Sequence, residues 1–329
     1  MSNIRELKQR IQSVKKIRKI TQAMKMVAAS KFKRASEKAV NTRLYKQEIS
    51  DILTAVYQRI EPDIKPVFFK DNNNSSQAVI LITGDRGLCG AFNSSVLKTA
   101  EAFIKKQKTK VELYIFGNKG YTYFKRRDAD IKRHFPHFVK DITLDKTAIA
   151  LEPLIQAFLN GEVGKVWLIY NQYETALTST VTRRQLLPFE ESSIEQKASQ
   201  EKDSQETNSQ EKDNQERNSR EKDSHEKNSQ GIMADEKVRE SLKSDFIYEQ
   251  DITTLINHTI QHYLDFMLYQ ALLESQAGEE GARMAAMDSA TDNAEEMIRT
   301  ITLIYNRTRQ AVITKEIAEI VGGAEALAG

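Results

Sequence analysis

The sequence predicts an α/β domain plus a long antiparallel coiled coil, in which the N- and C-terminal helices form a shaft around a central Rossmann-like α/β domain. Three observations predict it. All five prolines lie between Pro62 and Pro188, and the first glycine is Gly84, so both ends are free of helix-breaking prolines. The two ends carry opposite charge. Between them, the hydrophobic period changes from helical to strand–helix alternation.

Residues 1–61 form the predicted N-terminal shaft helix. Sixty helical residues reach about 90 Å, longer than a small domain is wide. Apolar residues recur at Ile4, Leu7, Ile11, Val14, Ile17, Ile20, Met24 and Val27. This 3-4-3 spacing is a coiled-coil seam, with a register stammer expected at Val14–Ile17–Ile20. The seam then turns small, through Ala28, Ala29, Ala35 and Ala39 around Phe32.

At the other end, residues 245–329 are read as a foot strand followed by the C-terminal shaft helix. The helical pattern runs through Leu255, Ile256, Ile260, Tyr263, Leu264, Met267, Leu268 and Leu272. It resumes through Met284, Met287, Ala290, Ala294, Met297, Ile298 and Ile301. Gly278 and Gly281 cost about 1 kcal/mol each or mark a local loosening. Residues 1–60 hold 15 Lys/Arg and 4 Asp/Glu, whereas residues 251–329 hold 5 and 12. Long helices of opposite sign suit antiparallel pairing. A basic helix is also the footprint of nucleic-acid binding, but here the compensating charge is in the same chain, and no nucleic acid is expected as a partner.

Residues 77–190 form the predicted central domain. Strands are expected at 78–83, 111–116 and 166–171, with helical stretches at 91–107 and 147–160. The alternating segment 175–187 reads as an antiparallel strand that stops at Pro188. This order implies a small sheet covered by helices.

Composition narrows the chemistry. A single cysteine, Cys89, excludes an internal disulfide framework. No apolar run approaches the roughly 20 residues that span a bilayer, so direct membrane insertion is not expected. The start of the chain lacks the apolar stretch of a secretory signal. The loop "GDRGLCG" (84–90) lies between a strand and a helix, but its G-x-x-G-x-x-G spacing is not the dinucleotide pattern. It also lacks the Lys-Ser/Thr ending of a nucleoside-triphosphate loop. His258 and His262 have the spacing of a zinc helix, yet Thr259 stands where the metalloprotease motif needs glutamate. His134 and His137 flank a proline and suggest no triad, and Cys89 has no evident base. No catalytic residue, cofactor or metal site is therefore expected.

The C-terminal stretch "NRTRQAVITKEIAEIVGGAEAL" (306–327) sets Arg309 and Gln310 one turn before Thr314, followed by Glu316 and Glu319. It reads either as an unremarkable solvated face or as a slender tip able to turn against an enclosing wall. "ITKEIAEIVGGAEAL", "YQALLESQAGEEGARMAAMDSATDNA" (269–294) and "YNRTRQA" (305–311) resemble the C-terminal signature of the gamma subunit of F-type ATP synthases. "IRKITQAMKMVAASKFKRA" (17–35) is similar to that family's N-terminal helix, and "GDRGLCGAFNSSV" (84–96) to its central-domain loop.

The resemblance implies a non-catalytic central-stalk rotor subunit. Its partners would be the α and β subunits, the epsilon subunit and the membrane ring of c subunits. It would be a peripheral component on the cytoplasmic face of the bacterial inner membrane, coupling ring rotation to conformational cycling of the catalytic β subunits. By the same resemblance, Arg309, Gln310, Thr314, Glu316 and Glu319 contact β and carry torque near the tip. Met24, Lys25 and Arg283 contact β along the lower shaft, with Cys89 near that region. Tyr248 and Glu249 face the membrane ring. Gln250 stands where the family commonly has proline, which removes a preset helix start.

Residues 191–240 are read as a low-complexity, disordered insertion containing six five-residue units from Ser199 to Asn228, without one apolar side chain. Such a segment cannot offset an ordering cost of about 1–2 kcal/mol per residue. The family normally joins the flanking elements more directly. Photosynthetic relatives carry a regulatory insertion that works through a cysteine pair, and none is present here. Two readings remain, a tolerated surface expansion and a steric or electrostatic brake on rotation.

Overall fold

The computed structural model describes residues 4–57, 66–72, 74–107, 109–138, 141–175, 178–189 and 252–328. The predicted insertion 191–240 and the foot positions Tyr248 and Glu249 lie outside these residues.

Two helices dominate. Helix α1 (Ile4–Tyr57) and the C-terminal helix, here α5 (Ile252–Ala328), have 54 and 77 residues. Their lengths are about 80 and 115 Å. They pack antiparallel: Tyr45 stacks edge-on against Phe266, Lys25 pairs with Asp288, and Leu7 and Val14 share a cluster with Ala294 and Ile301.

The seam of α1 differs from the one predicted. Leu7, Val14, Thr21, Ala28 and Ala35 are buried at strict seven-residue intervals, while Ile17, Ile20 and Val27 are more than half exposed. The heptad therefore continues without a stammer, and polar residues rather than isoleucines occupy its middle. On α5 the seam runs through Met287, Ala294 and Ile301. Gly278 and Gly281 do not loosen the helix, which is continuous. A Cβ at Gly278 would come within 3.3 Å of the Phe92 ring, so this glycine permits a close approach of the α/β domain.

That domain holds a 3-10 turn (Val67–Phe69), β1 (Gln77–Ile82), α2 (Phe92–Lys106), β2 (Val111–Phe116), α3 (Asn118–Lys125), β3 (Ile131–Phe135), α4 (Leu144–Leu159), β4 (Lys165–Tyr173) and β5 (Ser179–Leu187). Helix α3 and strand β3 were not anticipated. The sheet order is β3-β2-β1-β4-β5, with β1–β2, β2–β3 and β1–β4 parallel and β4–β5 antiparallel. This is a doubly wound arrangement whose order reverses between β1 and β4.

Alternating strand residues divide the core. Val79, Leu81, Leu113 and Ile115 pack with α2 residues Val96, Leu97, Ala100 and Phe103 and with Phe124 of α3. On the other face, Ala78, Ile80 and Ile82 pack with Leu151, Leu154, Ile155 and Phe158 of α4. The same cluster takes in Ile256, Ile260, Leu264, Leu268 and Leu272 of α5, and Ile49 and Leu53 of α1. The lower shaft is thus one layer of the domain. From Tyr263 to Gly281, α5 is buried almost all round, because α1, the sheet and α4 enclose it.

Candidate functional site

In an open α/β sheet, ligands bind beyond the strand C-termini where the order reverses. Here helix α5 lies against that place. The β1 strand leads into Gly84, and a Cβ there would come within 2.8 Å of the Glu279 carboxyl carbon. Tyr170 of β4 donates to Glu274 at 3.4 Å, and the Asn171 amide donates to the Phe92 carbonyl at 3.2 Å. The "GDRGLCG" loop is a docking loop for the shaft, and its anionic neighbour Glu279 opposes a phosphate.

The loop is braced by its own polar groups. Asn93 accepts from the Gly84 amide at 2.8 Å and donates to the Arg86 carbonyl at 3.3 Å and to the Cys89 sulfur at 3.1 Å. Asp85 accepts from the amides of Asn118 and His137. Cys89 is buried, and burial pushes its thiol above the usual range, with Glu279 adding to the rise.

Arg283 is only 11% exposed in its side chain. Its guanidinium pairs with Glu279 and, at 2.9 Å, with Glu280. Burial raises the Glu279 pKa against the opposing pull of Arg283. Lys31 of α1 reaches Glu280 at 3.8 Å. Arg283 is therefore engaged at the junction between shaft and domain.

Higher on the shaft, Lys25 meets Asp288 at 2.5 Å, with both side chains nearly half exposed. One turn on, the Thr291 hydroxyl donates to that of Thr21 at 2.8 Å, which donates to the Arg18 carbonyl at 3.0 Å. These groups make a polar layer across the coil, beside which Met24 is half-buried.

Arg309, Gln310, Thr314, Glu316 and Glu319 all lie on the last stretch of α5, past the described start of α1. From Arg309 to Ala324 every residue except Val312 is exposed. Ile313, Ile317, Ile320 and Val321 form one apolar face of this single helix. Lys315 and Glu319 pair at 3.6 Å. The tip residues thus share one exposed helical stretch without sharing one face, far along the helix from Arg283.

Sequence reasoning missed Arg43, Tyr170, Glu274 and Glu279. Glu274 alone carried a signal, since it follows Leu272 and Leu273 in a mostly apolar helix stretch and a buried carboxylate needs partners; nothing in the pattern pointed to which residues those partners are.

A paired-helix shaft with a bare tip, built into one layer of an α/β head, defines a mechanical rod-and-head protein. The comparisons with known proteins agree. The family described as "ATP synthase" matches residues 3–327. Proteins named "ATP synthase gamma chain" from Chloroherpeton thalassium and Salinibacter ruber are 33% and 34% identical, over 99% of this chain and 99% of theirs. The rotor structure of the Euglena gracilis mitochondrial ATP synthase superposes with a TM-score of 0.61 at 18% identity, covering 94% of this chain and 98% of that one. The chain belongs to the ATP synthase gamma-chain family.

Proposed function

We propose that this chain is the non-catalytic central-stalk rotor subunit of a proton-translocating F-type ATP synthase, coupling rotation of a membrane ring to conformational cycling of catalytic β subunits. The observation that carries the reading is the single-helix tip. Helices in proteins draw most of their stability from packing an apolar face, and this one exposes an isoleucine face with no partner among the described residues. A sleeve of surrounding subunits supplies what the helix lacks. The outward stripe of Ile17, Ile20 and Val27 on α1 extends the same need down the shaft.

Within this reading, Arg309, Gln310, Thr314, Glu316 and Glu319 work against the β subunits at the tip. Met24, Lys25 and Arg283 mark the lower shaft, with Cys89 beneath it. Lys25 is the most available of these, and Arg283 acts by holding Glu279 and Glu280. The α/β head carries epsilon, and the foot around Tyr248 and Glu249 meets the ring of c subunits. The subunit is peripheral, at the cytoplasmic face of the bacterial inner membrane. No described helix is long and apolar enough to cross a membrane.

Reconstitution with α and β subunits tests the proposal. ATP-driven rotation of a probe fixed to the α/β head is expected, together with a loss of ATP hydrolysis when this chain is left out. A head that stays still while the ring hydrolyses ATP, or a ring that hydrolyses ATP equally well without the chain, overturns the reading.

A further inference from the structure

We infer that Arg43 is a torque-positioning residue, a three-way joint that locks both shaft helices to the α/β head where the coil leaves the domain. This rests on the rotor reading and adds to it the place where head and shaft are mechanically fastened.

Three bodies meet at one guanidinium. Arg43 sits on α1. Its Nη2 donates to the Tyr173 carbonyl at the end of β4, at 2.6 Å, and its Nε reaches Glu274 Oε1 on α5 at 3.4 Å. Glu274 is 1% exposed. It also accepts from Gln270 at 3.0 Å and from the Tyr170 hydroxyl at 3.4 Å, so the same carboxylate binds β4 a second time. The guanidinium lies 5.8 Å from the centre of the Tyr173 ring, which packs edge-on against Phe32 of α1 at 5.9 Å.

The neighbouring seam explains why a polar joint is needed. Just above Arg43, α1 meets α5 through Ala28, Ala35 and Ala39. Such small side chains permit close approach but present short knobs, and apolar burial is non-directional. A twisting load between head and coil would be carried there by contacts that resist little sliding. Hydrogen bonds have preferred directions, and the planar arginine fork fixes two at once. Arg43 therefore supplies directional resistance where the apolar seam supplies least.

The test uses the whole complex in sealed vesicles, with this chain as wild type, Arg43→Ala or Arg43→Lys. ATP hydrolysis by the detached catalytic part reports the unloaded motor, and ATP-driven proton uptake reports the loaded one. With Arg43→Ala, unloaded hydrolysis is expected to stay close to wild type, while protons moved per ATP fall to less than half of wild type, because the directional contact that carries the loaded twist is gone. Arg43→Lys keeps a charge for Glu274 but lacks the fork, and is expected to recover less than half of the coupling. Should Arg43→Ala fail to assemble, Glu274→Gln carries the same test, because it keeps the side-chain shape. Undiminished pumping by the alanine variant, equal loss of hydrolysis and pumping, or full recovery by lysine overturns the joint. A wild-type chain that supports no rotation overturns the rotor reading itself.

Discussion

The Glu279 carboxylate lies in the space that a side chain at Gly84 would need, its carboxyl carbon 2.8 Å from where a Cβ would sit. This one contact joins the end of β1 to the shaft helix, and Arg283 holds the carboxylate in place. A glycine loop that begins like a nucleotide cradle thus receives a protein carboxylate. The crevice that related sheet topologies use for ligands becomes a mechanical seat.

Gly84→Ala must push Glu279 aside and weaken its pairing with Arg283, at an expected cost of about 1–2 kcal/mol. Because the obstacle is the end of a flexible side chain, Glu279→Ala removes it. In a double-mutant cycle followed by thermal unfolding, Gly84→Ala is expected to cost less on the Glu279→Ala background. Gly117→Ala is a harsher change. Its φ is +96° and a Cβ would meet the Thr83 carbonyl oxygen at 2.0 Å, so a loss above about 3 kcal/mol is expected with no rescue from side-chain truncation.

Asp265 is buried on α5, and its Oδ1 has no hydrogen-bond partner among the described residues. Burial, with Glu152 adding to it, raises its carboxyl from 3.8 to about 6. The folded state therefore holds this proton more tightly than the unfolded chain does. The associated stability is present below pH 4, is lost as pH rises toward 6, and stays lost above it. Asp265→Asn is expected to stabilise the protein by about 1–3 kcal/mol at pH 8 and to change little at pH 4. Unfolding midpoints at the two pH values check this, and equal effects at both would refute it.

Lys25 and Asp288 are close but nearly half exposed. Lys25→Ala is expected to cost no more than about 1 kcal/mol. Asp288→Lys sets like charges together and should cost more, whereas the swapped pair Lys25→Asp with Asp288→Lys should recover most of the loss. Denaturant midpoints of the four proteins measure the coupling. A swap no better than its single variants would show that the ion pair contributes nothing to register.

The shaft was legible because long proline-free helices, opposite charge and heptad spacing all point the same way. Which stripe forms the seam was less so. Ile17, Ile20 and Val27 offer a more apolar stripe than Arg18, Thr21 and Lys25, yet the former faces outward. Hydrophobicity identifies surface that must be covered without saying by which partner. Helix α3 and strand β3 were missed for local reasons. "NKGYTYFK" is short and contains glycine, and "IKRHF" is a basic edge strand without alternation. The Arg43–Glu274 joint lies beyond sequence pattern altogether, since its partners are 231 residues apart.

The tip supplies the last prediction. Residues 309–324 make their hydrogen bonds within one helix and expose an isoleucine face to water. Local opening of such a segment costs little compared with unfolding the buried stretch from Tyr263 to Gly281. In the isolated chain, amide hydrogens of 309–324 are expected to exchange at least about a hundredfold faster than those of 263–281. Assembly with α and β subunits should slow the tip selectively, because only there does a helix lacking a partner acquire one. Hydrogen exchange read by mass spectrometry before and after assembly distinguishes the cases. A tip already protected in the isolated chain would mean that its helix is stable alone, and the apolar face would then need another explanation than a surrounding sleeve.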